Sequence, residues 1–150
     1  MGQARELAEA VTGALAAHDP QRARQWLADD FTFNDPNSPM PPPGPDEWLA
    51  LQQTLINAFP DLNYNFEIFR EEGNQVWVSA NIGGTHNGDF DLSAMGMGVV
   101  PATGKRVSAG RSVTVGTLNN AGKVQAIEVV EDEGGGLPGM LQQIGVDLNP

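Results

Sequence analysis

The sequence predicts a single α+β domain. Apolar residues recur at helical spacing up to residue 59, they alternate with period two from residue 63 onward, and no repeat or linker divides the chain. At 150 residues the length is that of one domain, enough to bury roughly two thirds of its unfolded surface. Helices first and long antiparallel strands afterwards gather the helices on one face of a sheet.

Residues 4–17 set Leu7, Val11, Ala14 and Leu15 on one stripe, an amphipathic helix that ends near His18. Asp19 is placed to cap a second helix, with Pro20 at its first position and Trp26 and Leu27 on its buried side. Residues 31–33 (FTF) read as a short strand stopped by Asn34, Asp35 and Pro36. The proline-rich run 35–45 is a stiff loop rather than an interdomain linker, because the 34 residues before it are too few to close a core. Asp46 is expected to cap a third helix over 47–59, with Trp48, Leu51, Leu55 and Phe59 on one stripe and Pro60 ending it. Residues 63–70 and 75–86 form a strand pair about the turn EEGN, and 105–118 with 123–132 form a longer one. The Gly-rich stretch 87–104, containing AMGMG at 94–98, reads as a long connection, and Gly134–Gly136 as a hinge before a short helix around 137–144.

Composition removes several function classes. The chain has no cysteine, which excludes disulfides and thiolate metal sites and permits a reducing compartment. Net charge is −11 and the eight basic residues are scattered, the opposite of the clustered cations that nucleic acid or an anionic membrane requires. Arg5 and Glu6 fall where a secretory signal needs an apolar core, Glu6 sits where a myristoylation signal needs Ser or Thr, and no stretch reaches roughly 18 uninterrupted apolar residues. A cytoplasmic location is therefore expected. His18 and His86 lie on different elements without metal-ligand spacing, so no metal centre is expected, and there is no GxSxG elbow, P-loop or dinucleotide fingerprint.

The candidate chemistry comes from polar residues on faces that alternation marks as buried. In 75–86 one face carries Val76, Val78, Ala80, Ile82, Gly84 and then His86, so the imidazole continues an apolar row; an inert, hydrogen-bonded histidine at a loop mouth is the alternative. In 123–132 strict alternation groups Val124, Ala126, Glu128, Val130 and Asp132. If that face is inward, Glu128 and Asp132 project the same way, roughly 13 Å apart at about 3.3 Å per residue, as two walls of one pocket. A carboxylate in an apolar cavity is costly when ionised and so suits proton transfer near neutral pH, whereas bonding to backbone or pairing with an arginine is the plainer reading. Arg111 shares its parity with Val107, Ala109, Val113 and Val115 and needs a partner, either Glu128 or an anionic group of a ligand. Asn34 adds a polar group that either faces inward or caps its loop. Trp26 and Trp48, on the buried sides of their helices, complete the expected substrate-binding wall with Arg111 and Asn34.

Five segments in series, FPDL (59–62), GTHNGDF (84–90), PATGKRV (101–107), GKV (122–124) and GMLQQIGV (139–146), resemble the SnoaL-like polyketide cyclases, a branch of the nuclear transport factor 2-like superfamily. The resemblance implies a cone, in which a bent antiparallel sheet and the N-terminal helices enclose one pocket. It also implies a ring-closing aldol reaction without metal or organic cofactor, in which an acidic residue near the end of the last strand handles the proton. Asp132 matches that residue, and His86 matches the histidine of the GTH motif, a pocket-lining position. The sequence departs from the pattern in its last strand, where Ala126 and Glu128 stand in place of an acidic residue and a tryptophan.

The leading expectation is a cofactor-free enzyme in which Asp132, assisted by Glu128 or His86, moves a proton on a mostly apolar carbonyl compound, by aldol cyclisation or isomerisation. An epoxide hydrolase of the same superfamily, using Asp132 and Arg111, and a non-catalytic small-molecule binding module are the alternatives. A homodimer is expected through the outer sheet face, where Ile127 and Val129 would lie beside Trp77.

Overall fold

The computed structural model describes residues 2–35, 42–93, 98–132, 140 and 142–145. Most of the proline-rich run, residues 94–97 of the AMGMG segment, the glycine hinge at 134–136 and most of the expected last helix lie outside the described residues, although Met140, Gln142 and Gln143 are helical. The first helix, α1, spans Gln3–Ala16. It stops where His18 takes the left-handed conformation (φ 60°) and its Nε2 donates to the Leu62 carbonyl at 2.8 Å. A 3-10 helix follows over Pro20–Trp26; Asp19 holds the N-cap position without making a side-chain cap bond. Strand β1, Leu27–Asn34, is longer than expected and takes Leu27 into the sheet. Helix α2 spans Pro45–Ala58 and is capped differently from the expectation. Glu47 accepts the Gly44 backbone N–H, while Asp46 accepts Arg24 Nε at 2.9 Å and so ties the helix start to the 3-10 helix.

The remaining strands are β2 (Glu67–Glu72), β3 (Gln75–Thr85), β4 (Phe90–Asp91), β5 (Val99–Val100), β6 (Arg106–Leu118) and β7 (Val124–Asp132). β2 starts later than expected because Asn65 adopts φ 52° and turns its side-chain amide to the Asn81 carbonyl. The long connection is not structureless, since β4 and β5 pair within it. The main sheet has the order β1-β7-β6-β3-β2, and its pairs are antiparallel except β1 with β7. α1 lies over β2, β3 and β6, and α2 over β1. The chain thus has the α+β fold read from its sequence, with the helices on the inner face of a curved, mainly antiparallel sheet.

The main core joins Val11, Leu15, Phe31, Leu49, Phe59, Leu62, Phe90 and Val107. A second cluster, Ala4 and Ala8 against Val76, Val78 and Leu118, seats α1, and Leu7 and Phe66 touch both. The start of α1 is fixed by Glu71, whose carboxylate accepts the Gly2 N–H at 3.2 Å and the Arg5 N–H at 2.9 Å. These are free donors of a helix N-terminus, where negative charge is favoured.

Bulges bend the sheet and decide its faces. Between the pairs Gly83↔Ser108 and Asn81↔Arg111, Ala109 and Gly110 oppose Ile82 alone, and Gly110 takes φ 72°. In β7 the register with β6 slips between Val129 and Glu131 and again between Val124 and Ala126. Parity therefore inverts along β6 and β7, which strict alternation cannot anticipate. Gly110 is the residue that lets β6 bulge, so Gly110→Ala is expected to lose about 1–2 kcal/mol, the cost of a left-handed L-residue, in urea unfolding followed by circular dichroism.

Candidate functional site

The register sorts the expected site residues onto two faces. Ala80 pairs with Ser112 and Ser112 with Asp132, which carries Asp132 to the inner face in line with Val78, Thr114 and Val129 on the next row. Gly116 pairs with Ile127, and Ile127 packs against the main core. Glu128 instead pairs with Val115 on the outer face and is exposed, so the expectation that Glu128 and Asp132 project together is corrected. The slip at Val130 inserts one residue between them and separates their faces.

Arg111 is corrected for the same reason. It pairs with Asn81, on the face of Val113 and Val115 but not of Val107 and Ala109, because the Gly110 bulge intervenes. Its guanidinium lies 3.9 Å from Glu131 and 5.9 Å from the Phe69 ring centre, with the side chain half exposed, so Glu131 is an ion-pair partner. The register thus gives Arg111 and Asp132 opposite faces of the sheet. Asn34 pairs with Glu128, also on the outer face, and its side-chain amide donates to Thr32 Oγ1 at 3.3 Å. Ile127 and Val129, expected on the outer face, belong to the inner one.

The tryptophans are wall and core. Trp48 of α2 is buried between Phe31 (5.3 Å between ring centres) and Phe33 (5.7 Å, stacked), joining α2 to β1. Trp26 is half-buried and packs against the same core.

His86 lies inside, as the continued row required, and is 0% exposed. Phe59 and Phe90 flank it at 5.5 and 6.3 Å between ring centres. Nδ1 is 2.9 Å from Thr103 Oγ1 and accepts the Thr103 backbone N–H at 3.2 Å, while Nε2 has no partner among the described residues. Burial lowers the His86 pKa and the nearby Asp89 pushes it up less strongly, which keeps the ring neutral. His86 directly follows β3, six residues beyond Ala80 and so about 20 Å of extended chain from the Asp132 row. The two are stations along one inner face, not a contacting pair.

Two buried polar residues escape the sequence reading. Tyr64 donates its hydroxyl to Gln52 Oε1 at 2.9 Å inside the core, and burial raises the phenol pKa so that it stays a donor. Gln52 is legible in hindsight, since it falls on the apolar stripe of Trp48, Leu55 and Phe59; Tyr64 carries no such signal. Among the described residues no cluster of three or more His, Asp or Glu is placed to hold a metal ion, and no helix is long and apolar enough to cross a membrane.

The model of the SnoaL-like polyketide cyclase family matches residues 5–140. Among solved structures, a proposed SnoaL-like polyketide cyclase from Jannaschia sp. CCS1 superposes with a TM-score of 0.72 at 22% identity, covering 97% of this chain and 93% of its own. AclR, a proposed hydroxylase from Streptomyces galilaeus, gives 0.70 at 22% identity over 95% and 96% of the two chains. IdmH, a proposed polyketide cyclase from Streptomyces antibioticus, gives 0.68 at 20% identity over 97% and 100%. No curated protein matches the sequence significantly.

The lowered pKa of His86 fixes the sign of a pH effect. Between the folded and unfolded pKa values the unfolded chain binds the extra proton, so the contribution is present above about pH 6.5 and is lost as pH falls through the folded value. Unfolding midpoints should therefore fall from pH 7 to pH 5, and His86→Asn should show a smaller fall; equal falls in the two proteins would contradict the assignment.

Proposed function

The chain belongs to the SnoaL-like polyketide cyclase family, and on that premise we propose that it is a small-molecule enzyme in which Asp132 moves a proton on a mostly apolar carbonyl compound. The observation that carries the proposal is the inward placement of Asp132. Across β2, β3, β6 and β7 the other inner-face carboxylate is Glu71, which pairs with Val76 and is occupied by the start of α1. Glu67, Glu72, Glu128 and Glu131 all take outer-face register positions.

In an aldol closure the Asp132 carboxylate removes a proton from the carbon beside a carbonyl, the resulting enolate forms a carbon–carbon bond to a second carbonyl, and the new alkoxide takes the proton back. Atoms and charge balance without a cofactor. Proton return to a different carbon would give isomerisation instead. The enolate oxygen needs a donor in the same site. Ser112, opposite Asp132 on the ladder, is the hydroxyl nearest by register, and His86 is placed to meet a remote oxygen of an elongated ligand. A non-catalytic binding module is supported by one observation, the position of His86 six residues along the chain from the Ala80–Ser112–Asp132 row, since a donor apart from the carboxylate serves retention as well as chemistry.

We also propose a homodimer through the outer sheet face, in the cytoplasm. The patch differs from the sequence expectation: Phe69 (46% exposed) and Val130 (51%) stand at bulges beside the half-buried Trp77 and Val115. Arg70 and Arg111 alternate there with Glu72, Glu128 and Glu131, a mixture of signs that a two-fold pairing can match.

Asp132→Asn keeps the shape and removes the base. Turnover of a carbonyl substrate is expected to fall by about two to four orders of magnitude with the fold retained by circular dichroism. Nearly full activity would overturn the assigned role, and unchanged ligand affinity alongside absent wild-type turnover would favour the binding module. Light scattering at tens of micromolar protein should give a dimer mass that Val130→Glu reduces to the monomer's; a monomeric wild type would refute the interface.

A further inference from the structure

His86 holds a feature that proton transfer at Asp132 does not use. The Thr103 backbone N–H points at Nδ1, and Thr103 Oγ1 beside it in turn accepts the Lys105 N–H at 3.3 Å. A ring nitrogen that accepts an N–H bears no proton of its own, so in the neutral imidazole the proton belongs to Nε2. That N–H is buried beside Phe59 and Phe90 and meets no acceptor among the described residues. An unsatisfied buried donor is destabilising, and an incoming oxygen atom would relieve that penalty.

The distribution of cations decides what kind of oxygen that is. All eight basic side chains lie away from the inner face. Arg5 pairs with Glu9 on α1, Arg24 forks between Asp29 and Asp46, and Arg106 reaches Asp61 on the surface. Arg70 covers Trp77 on the outer face, where Arg111 also lies, and Arg22, Lys105 and Lys123 are exposed. A carboxylate or phosphate drawn to His86 would lose its hydration without gaining a counter-charge, and the nearby Asp89 would repel it. A carbonyl oxygen loses far less and matches a single neutral donor.

We infer that the Thr103 amide is a positioning group that locks His86 in the Nε2–H tautomer, and that the ligand meets this N–H with an uncharged carbonyl oxygen, not with a carboxylate or phosphate. This rests on the inner face being a ligand site, as proposed above, and is independent of the chemistry assigned to Asp132.

The test is nitrogen-15 NMR of the His86 ring in the full chain, with acetophenone and benzoate as matched probes. The free protein should show the Nε2–H tautomer, and Thr103→Val, which removes the hydroxyl but keeps the amide, should leave it unchanged. Millimolar acetophenone should shift the Nε2–H resonance and benzoate should not. His86→Asn, whose Oδ1 can still accept the Thr103 N–H, should bind acetophenone up to about tenfold more weakly, the value of one lost hydrogen bond. An Nδ1–H tautomer, a benzoate affinity equal to that for acetophenone, or no ketone-dependent shift would each overturn the inference. In Asp132→Asn the His86 shifts should persist. Their persistence with full turnover would remove the acid–base role alone, and their loss would remove the independence claimed here.

Discussion

Everything that makes one face of this sheet different from the other depends on where its ladders slip. A β-strand alternates its side chains strictly, so one extra residue exchanges the two faces for the whole of the strand beyond it. The Ala109–Gly110 bulge lets β6 contribute Val107 and Ala109 to the core at one end and Gly116 and Leu118 at the other, although the two sets differ in parity. The slips in β7 do the same for Val124, Ile127, Val129 and Asp132. Without them Ile127 would leave the core and Arg111 would enter it. The inward carboxylate is thus a product of irregular pairing, and the same irregularity bends the sheet around α1 and α2.

A second constraint holds the far end of the inner face. Asp61 accepts the Thr85 N–H at 2.7 Å and the Thr85 hydroxyl at 3.0 Å, and these bonds lower its pKa. The His86 N–H donates to the Lys105 carbonyl and the Gly104 N–H to the His86 carbonyl, while Asp89 accepts the Ala102 N–H. A side chain at Gly88 would bring its Cβ to 2.0 Å from the Asn57 carbonyl oxygen, and one at Gly84 to 3.1 Å from Phe59. FPDL, GTHNGDF and PATGKRV are therefore one interlocked junction, whose glycines permit close approach and whose polar residues tie three segments together. Motifs of this kind identify the fold, because they build it. They say little about the ligand, apart from the one ring nitrogen the junction leaves unbonded.

This division explains what was legible in the sequence. The helices, the strand pairs and the inner row from Val76 to His86 follow from periodicity, since β3 keeps its alternation past the bulge, with Ile82 opposite the extra residue of β6. Strict alternation misplaces Arg111 and Glu128 because bulges interrupt it. An isolated glycine within the strand pattern of β6 was the available warning, whereas neither slip in β7 has any mark in its sequence. Tyr64 and Thr103 act through contacts made by loops, which periodicity does not address. Gln143 is a further case: its side-chain amide accepts the Ser108 N–H and donates to the Ser108 carbonyl.

The register also changes the meaning of the departures from the family pattern. With Ala126 and Glu128 assumed inward, the loss of an acidic residue and a tryptophan would turn an aromatic wall into a charged one and count against an aromatic ligand. Ala126 pairs with Thr117 and Glu128 with Val115, both on the outer face, so neither replacement touches the interior. The inner face keeps the aromatic stack of Phe31, Phe33 and Trp48 at one side and Phe59 and Phe90 around His86 at the other. What the two replacements alter is the surface between β1 and β6, where Glu128 now stands beside Asn34 and near the apolar strip of Val113 and Val115. Divergence there bears on what the outer face meets, while the cation-free inner face keeps its aromatic lining.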